Sequence, residues 1–215
     1  MPCLSSCPTP GFGVRALDSL FEEHLPRLAH MRDAASFAGD LADGFSLAAE
    51  QATLLTRAAL LHDIGYAPAL RRLDYHPLDG ALFLAGHGEH PWVVEGVLRH
   101  SWAGTRPGLA LQVGEHYARR EPLPDAAWLV RAVTVADWRA AGVGGRVSFA
   151  RRYQDIALRN PDNPGKVARA AIMVGEARDC FLGWAGDLSV DRPLPWVFCD
   201  VDNTLIRPGD RLPEV

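Results

Sequence analysis

The chain has 215 residues, a length typical of one domain with or without a short appendage. Its 48% hydrophobic and 22% charged residues indicate a globular protein with a full core. The net charge of -4 does not indicate nucleic-acid binding. No run of about 18 apolar residues and no secretory leader pattern is present, so we expect no membrane span. The Cys pattern suits reduced thiols, and we expect a cytoplasmic protein.

Apolar residues recur at intervals of three and four from Val14 to about Leu182, which predicts an all-α domain. The predicted helices cover 14–24, 26–43, 47–64, 77–86, 91–101, 108–118, 124–141, 147–158 and 164–184. Ser46 is expected to cap the third helix, Gly65 to end it, and Pro91 to occupy the first turn of its helix. We predict a loose segment over 1–13, a helical domain over 14–190 and a C-terminal tail over 191–215.

The pair His62-Asp63 stands at the end of an apolar run, where core residues are expected. Burial of a His beside an Asp costs several kcal/mol unless both are paired, and a divalent metal ion can pair with both. A single His on an apolar helix is more often a core residue bonded to a carbonyl. The joint occurrence of further candidates in or beside other helices favours a metal site. These candidates are His30, His76, His100 and Asp137.

The order His, His-Asp, Asp resembles the HD superfamily of all-α metal-dependent phosphohydrolases. The family pattern corresponds to His30, His62, Asp63 and Asp137. The segment from His76 to Ala81 and the motif Arg99-His100-Ser101 are similar to branches of the family that add two further His. The resemblance covers roughly 24–182 and implies a helical bundle with metal ions buried between the helices.

A lone metal ion would take His30, His62, Asp63 and Asp137, whereas inward-facing His76 and His100 would let Asp63 bridge two ions. Mixed imidazole and carboxylate ligands suit Mn, Fe, Co, Ni or Zn better than Ca. Two such ions, about 3.5–4 Å apart, would present hydroxide to phosphorus and neutralise phosphoryl oxygens. We therefore expect hydrolysis of a small phosphorylated molecule, with nucleotides among the candidates, and a catalytic role for Asp63 and Asp137.

Many HD phosphohydrolases have a Lys shortly after the His-Asp pair, and here Tyr66 stands where that Lys often occurs. An Arg could bind the phosphate instead through two parallel hydrogen bonds, although each candidate could equally be a solvated surface residue. The candidates are Arg71, Arg72, Arg139, Arg151 and Arg152. Arg139 ranks first, as a catalytic residue, because it follows Asp137 by two positions.

The remaining His residues are weaker candidates. His87 and His90 fall in a predicted surface loop, and His24 and His116 have no supporting context. Asp79 could orient a ligating imidazole, or it could simply favour the dipole of its helix from the first turn.

Two other functions remain open for the same six side chains. HD-fold di-iron oxygenases use the same ligand order to activate O2, and a non-catalytic regulator could retain the fold. Six intact ligands argue against the regulator. Substrate, native metal and oligomeric state are left open by the sequence.

The C-terminal tail carries a separate motif. A predicted strand over Trp196–Cys199 leads into Asp200-x-Asp202-x-Thr204, which resembles the first motif of the haloacid dehalogenase superfamily. In that family the first Asp is the nucleophile and the second acts as acid and base. Too few residues follow to supply the rest of such a site, so we expect no working dehalogenase-type centre and interpret the tail as the severed start of such a domain. A chance strand and turn is the alternative.

Overall fold

The computed structural model describes residues 12–13, 15–105, 108–189, 197–199 and 204–206. Helices form most of these ranges, which confirms the predicted all-α fold. The helices are α1 (Arg15–Leu20), α2 (Leu25–Gly44), α3 (Ala49–Leu61), α4 (His76–Gly86), α5 (Pro91–Arg99), α6 (Leu111–Ala118), α7 (Ala127–Arg139), α8 (Phe149–Arg159) and α9 (Pro164–Ser189). Among the described residues no helix combines the length and apolar character of a membrane span.

The bundle is centred on α2, α3, α5 and α7, which pack against one another through apolar faces. Their fully buried side chains include Met31, Leu55, Val97 and Val133. Burial of such side chains is the main favourable term in folding, at roughly 1.5–3 kcal/mol for each large aliphatic residue. Polar side chains inside this core are therefore conspicuous, and they occur where α2, α3 and α7 meet.

The ends of α3 differ from the predicted ones. Ser46 does not cap the helix, because its φ of 50° places it in the turn that precedes the helix. The N-cap is Ala48, whose backbone N–H donates to the Gln51 side chain at 3.3 Å. At the other end α3 stops at Leu61, and the chain continues through His62 and Asp63 into a 3-10 turn over Ile64–Tyr66.

Gly65 lies against the start of α4 instead of ending α3. A Cβ atom on Gly65 would lie 2.0 Å from the carbonyl oxygen of His76 and 2.6 Å from the backbone nitrogen of Gly80. Only glycine permits this approach, which brings the first residue of α4 beside the His62-Asp63 pair. Asp79 closes the preceding loop, since its carboxylate accepts from the backbone N–H groups of Leu73 and Tyr75 at 2.9 and 3.1 Å.

α8 and α9 form an antiparallel pair that packs beside α7. The rings of Phe149, at the start of α8, and Phe181, late in α9, lie 6.4 Å apart between centroids. In the tail, Val197–Cys199 pairs antiparallel with Thr204–Ile206, which confirms the predicted strand. Asp200 and Asp202 lie outside the described residues, so the resemblance to the dehalogenase motif stays a prediction.

Candidate metal centre

The structure brings all six sequence-predicted metal-site residues together. His30 comes from the middle of α2, His62 and Asp63 from the end of α3, His76 from the start of α4, His100 from the end of α5, and Asp137 from the last turns of α7. His30 and His62 have no exposed surface, and His100 and Asp63 are also buried. The side chains of His76 and Asp137 are 12% and 15% exposed, so the cluster opens to solvent on one side.

Asp63 lies between two pairs of imidazoles. Its Oδ2 atom is 3.6 Å from Nε2 of His30 and 3.4 Å from Nε2 of His62. Its Oδ1 atom is 3.2 Å from Nε2 of His76 and 3.7 Å from Nε2 of His100. Each carboxylate oxygen therefore faces a different pair, which is the arrangement expected of a bridging ligand.

Asp137 completes the side of the cluster that holds His30 and His62. Its Oδ1 atom is 3.2 Å from Nε2 of His30 and 3.8 Å from Nε2 of His62. Its Oδ2 atom accepts a 2.5 Å hydrogen bond from the Ser101 hydroxyl. The Trp138 indole in turn donates to the Ser101 oxygen at 3.2 Å. Ser101 thus fixes the orientation of the Asp137 carboxylate.

Ser101 was part of a recognised motif, but its role was not predicted. Its backbone adopts the left-handed region at φ 50°, and its N–H donates to the Thr134 hydroxyl at 2.9 Å. A left-handed non-glycine residue costs about 1–3 kcal/mol and persists where the surroundings require it. The sequence gives no sign of this conformation, which turns the Ser101 hydroxyl towards Asp137.

Three of the imidazoles are held in one tautomer by the backbone. Their Nδ1 atoms each lie within 2.9 Å of a main-chain carbonyl oxygen, which can only accept a hydrogen bond. The pairs are His30 with Ala141, His62 with Ala59, and His100 with Val97. Nδ1 therefore carries the proton in the neutral ring, and Nε2 faces the cluster, where it can bind a metal ion or, in its absence, a second proton.

These donors fit divalent transition ions. Ligand atoms at about 2.0–2.2 Å from a common ion are roughly 3–3.5 Å apart, close to the spacings around Asp63 and Asp137. Three overlapping groups each have their ligand atoms within 4.8 Å of one another. The groups are His30, His62 and Asp63; His62, His100 and Asp137; and Asp63, His76 and His100.

The cluster also keeps its carboxylates ionised. Burial alone would raise the pKa of Asp63, but the His62 charge and hydrogen bonds from His100, His62 and His76 hold that pKa well below its ordinary value. Burial likewise opposes ionisation of Asp137, and the hydrogen bond from His30 and the charge of His62 outweigh it, so its pKa is also lowered. Burial lowers the pKa of His62, yet the charge of Asp63 leaves it raised.

A cleft of about 330 Å³ reaches the open side of the cluster. Asp63, His76, His100 and Asp137 lie at its base, and basic side chains from three helices line its walls. The basic residues are Arg27, Arg152, Arg159, Lys166 and Arg169. Such a lining suits a small anionic ligand, because the cations offset its charge near the two carboxylates.

Arg27 was not predicted as a site residue. Its Nη1 atom donates to Asp63 Oδ2 at 2.5 Å, and its guanidinium lies 4.3 Å from the centroid of the Tyr66 ring. Tyr66 in turn stacks on His76, with ring centroids 3.9 Å apart. Tyr66 replaces the Lys that often occurs at this position, but the site still has a cation there. The Tyr66 ring contacts the guanidinium of Arg27 from another helix. The signal in the sequence was the position of Arg27 three residues before His30 on one helical face.

Among the predicted phosphate-binding candidates, the structure brings Arg152 to the cleft. Its residue is 9% exposed, and its Nη2 atom is 3.7 Å from Asp137 Oδ1. Its Nε and Nη1 atoms are buried and form no hydrogen bond with the described residues. Arg71, Arg72 and Arg151 are exposed and do not line the cleft.

Arg139, which ranked first in the sequence prediction, points away from the cleft. Its guanidinium lies over the rings of Phe37 and Phe149, at 5.2 and 5.6 Å from their centroids. Two positions along a helix correspond to a rotation of about 200°, so a residue two places after Asp137 faces the opposite side of α7. The prediction that Arg139 binds the substrate phosphate is therefore wrong.

The weaker candidates stay outside the cluster. His24, His87 and His116 are exposed, as expected of surface residues. His90 is half-buried and caps α5, because its Nδ1 atom accepts from the Trp92 backbone N–H at 3.2 Å. Asp79 acts on the backbone before His76 and does not bond to an imidazole among the described residues.

Fold and site together define a helical domain that buries a His and Asp cluster suited to divalent metal ions. The HD domain family model matches residues 27–142, more than half of the chain, so the chain belongs to the HD domain family. The family consists generally of metal-dependent hydrolases, and the sequence-based resemblance to it is confirmed. Comparisons with curated proteins and with solved structures gave no match.

Proposed function

We propose that this protein is a metal-dependent phosphohydrolase that acts on a small phosphorylated molecule. The observation that carries the proposal is the position of Asp63, whose two oxygens face separate pairs of imidazoles at 3.2–3.7 Å. Such a carboxylate suits a pair of divalent ions. His30, His62 and Asp137 would hold one ion with Asp63, and His76 and His100 would hold the other.

Two bound ions would supply a water activated for attack on phosphorus and would neutralise charge on the phosphoryl oxygens. In the reaction, water oxygen bonds to phosphorus, the phosphoester P–O bond breaks, and the leaving alcohol takes up a proton. The protein's own groups orient the substrate. Arg27 and Arg152 stand on different walls of the cleft next to the two carboxylates, so they can bind phosphoryl oxygens from two directions.

The basic cleft favours hydrolysis over the two alternatives. An oxygenase could use the same six side chains, and O2-dependent turnover with iron is the result that would distinguish it from a hydrolase. A regulator without activity would have no need of a buried cluster whose imidazoles are held with their Nε2 lone pairs inward. Five basic residues beside the cluster suit a phosphorylated substrate, nucleotides included.

The test is phosphate release from a panel of phosphomonoesters, phosphodiesters and nucleotides. Protein loaded with Mn²⁺ or Co²⁺ should release phosphate, and Asp63→Ala and Asp137→Ala should reduce this to background. Asp43→Ala, which changes an exposed carboxylate on α2, is the matched control and should keep wild-type activity. O2-dependent turnover by iron-loaded protein, with no hydrolysis under any metal, would contradict the proposal.

A further inference from the structure

The outer wall of the cleft is built by α8 and α9, which lie beyond the 27–142 segment matched by the HD family. α8 contributes residues 152, 156 and 159 and its C-cap residue 160, and α9 contributes residues 166, 169, 170 and 173. Each set follows the three- and four-residue spacing of a single helical face. Two helical stripes thus face the same cavity. Both come from helices outside the segment that the family model matches.

The stripe on α8 contains a buried cation, Arg152, with two nitrogen atoms that have no hydrogen-bond partner among the described residues. Only 9% of the surface of Arg152 is exposed, and its Nε and Nη1 atoms form no hydrogen bond with the described residues. A buried donor without a partner costs free energy, about 1–3 kcal/mol or more for a charged group. The carboxylates of Asp137 and Asp155 lie too far away for a hydrogen bond. Nη2 is 3.7 Å from Asp137 Oδ1, and Nη1 is 3.8 Å from Asp155 Oδ2. An anion at the base of the cleft, beside Asp137, would meet the Nη2 side of this guanidinium and stabilise its buried charge.

The stripe on α9 holds two further cations, Lys166 and Arg169, which we call the α9 cation pair. Both are exposed at the cleft, and neither has an ion-pair partner among the described residues. By contrast, Arg159 is already neutralised by Asp155, with hydrogen bonds of 2.6 and 3.2 Å. Lys166 is also the only lysine of the chain. The α9 cation pair therefore carries positive charge that no carboxylate of the described residues offsets through an ion pair.

Arg152 and Lys166 lie at different ends of the wall. Arg152 is near the start of α8, next to Asp137. α9 runs antiparallel to α8 after a four-residue connection, so Lys166 lies near the opposite end of α8. Arg152 and that end are separated by seven residues, or about 10 Å along the helix axis. A phosphoryl group bound beside Arg152 and Asp137 therefore leaves Lys166, at the other end of the wall, available for a second anion.

We infer that the substrate carries a second anionic group, phosphate or carboxylate, which the α9 cation pair binds while Arg152 binds the reacting phosphoryl group. This inference rests on the proposed function, because it takes the reacting group to lie at the six-residue cluster. The cleft volume of about 330 Å³ is at the lower end of small-molecule sites, which span roughly 300–1,000 Å³. The expected substrate class is therefore a compact, doubly anionic phosphoester.

The test uses phosphonates, whose C–P bond the proposed reaction does not cleave. Pentylphosphonate carries one anionic group, phosphonohexanoate adds a terminal carboxylate, and pentamethylene bisphosphonate adds a second phosphonate. Dissociation constants are measured by calorimetry on Mn²⁺-loaded wild type, on the double variant Lys166→Gln/Arg169→Gln and on the control Arg178→Gln. Arg178 is an exposed α9 residue that does not line the cleft.

We expect wild type and Arg178→Gln to bind at least one two-anion probe about tenfold tighter than pentylphosphonate, and the double variant to lose this preference. The probe that shows the preference distinguishes carboxylate from phosphate. Equal affinities in wild type, or a preference that survives in the double variant, would overturn the inference even if phosphoesters are hydrolysed. A preference without any hydrolysis would support the α9 cation pair and reject the proposed reaction.

Discussion

The Nε2 atoms of His30 and His62 lie 3.2 Å apart, and each ring donates its Nδ1 proton to a backbone carbonyl. Two nitrogen lone pairs therefore face each other inside the bundle, with no exposed surface on either residue. Such a pair is repulsive unless a proton or a metal ion lies between the nitrogens. Asp63 and Asp137 add two ionised carboxylates at 3.2–3.8 Å, which makes a divalent ion the best-matched cation.

Arg152 should bind the substrate phosphate. Arg152→Gln should lower kcat/KM for the best phosphoester found by about tenfold or more, because a charge-assisted pair is lost beside Asp137. Arg151→Gln is the control, since Arg151 is the exposed neighbour on the same helix and does not line the cleft. Equal steady-state kinetics for the two variants would rule out this role for Arg152.

Ser101 should act by holding Asp137. Ser101→Gly and Ser101→Ala both remove the hydroxyl, and each should lower metal affinity or phosphate release by about 10- to 100-fold. Their stabilities should differ, because glycine adopts the φ of 50° without strain and alanine does not. Metal titrations and thermal unfolding check both points. A variant without the hydroxyl but with wild-type metal affinity and activity would show that Asp137 is held by other groups.

Gly65 should be required for the approach of α4 to the His62-Asp63 pair. In Gly65→Ala the new methyl group would meet backbone atoms of His76 and Gly80, which cannot move as a flexible side chain can. We expect a loss of about 1–3 kcal/mol in the free energy of unfolding. Gly39→Ala on α2 meets no atom within 4 Å and should be neutral or stabilising by up to about 1 kcal/mol. Urea unfolding of both variants makes the comparison, and similar stabilities would refute the steric account.

Metal-free protein should lose stability in acid. The pKa values of Asp63 and Asp137 are lowered in the folded state, so their contribution is full above the unfolded value of about 4 and is lost as pH falls below it. The pKa of His62 is raised, so its contribution is full below about 6.5 and is lost as pH rises through the folded value. Maximum stability is expected at about pH 5–6.

Urea unfolding of chelator-treated protein between pH 3 and 8 tests this profile. Asp137→Asn should flatten the acid limb, whereas Asp43→Asn, at an exposed carboxylate, should keep the wild-type shape. An acid limb unchanged in Asp137→Asn would mean that other groups cause the pH dependence.

The sequence predicted much of the fold, because the apolar periodicity of the helices is strong and local. The boundaries of α2, α4 and α5 fall within about two residues of the predicted ones. The end of α3 was less predictable, since Gly65 is fixed by contact with α4 and not by a local helix-ending signal. Ser46 failed as a cap for a similar reason, because its positive φ depends on the turn between α2 and α3.

At the site, the six clustered residues followed from their types and order, whereas among the cations of the cleft only Arg152 was a sequence-based candidate. Arg139 was chosen by its nearness to Asp137 in the chain, and the rotation of α7 turned it away. Arg27 reaches Asp63 from 36 positions away, supported by Tyr66, and only tertiary structure reveals that contact. Lys166 and Arg169 required knowledge that α9 folds back over the cleft.

The most direct test of the central claim is the metal content of protein purified without chelator and supplied in turn with Mn, Fe, Co, Ni and Zn, measured by elemental analysis. We expect about two ions per chain in wild type, none retained by Asp63→Ala, and wild-type content in the control His87→Ala, whose exposed imidazole lies outside the cluster. Wild-type protein that binds no transition metal, or Asp63→Ala that keeps the full complement, would contradict the account.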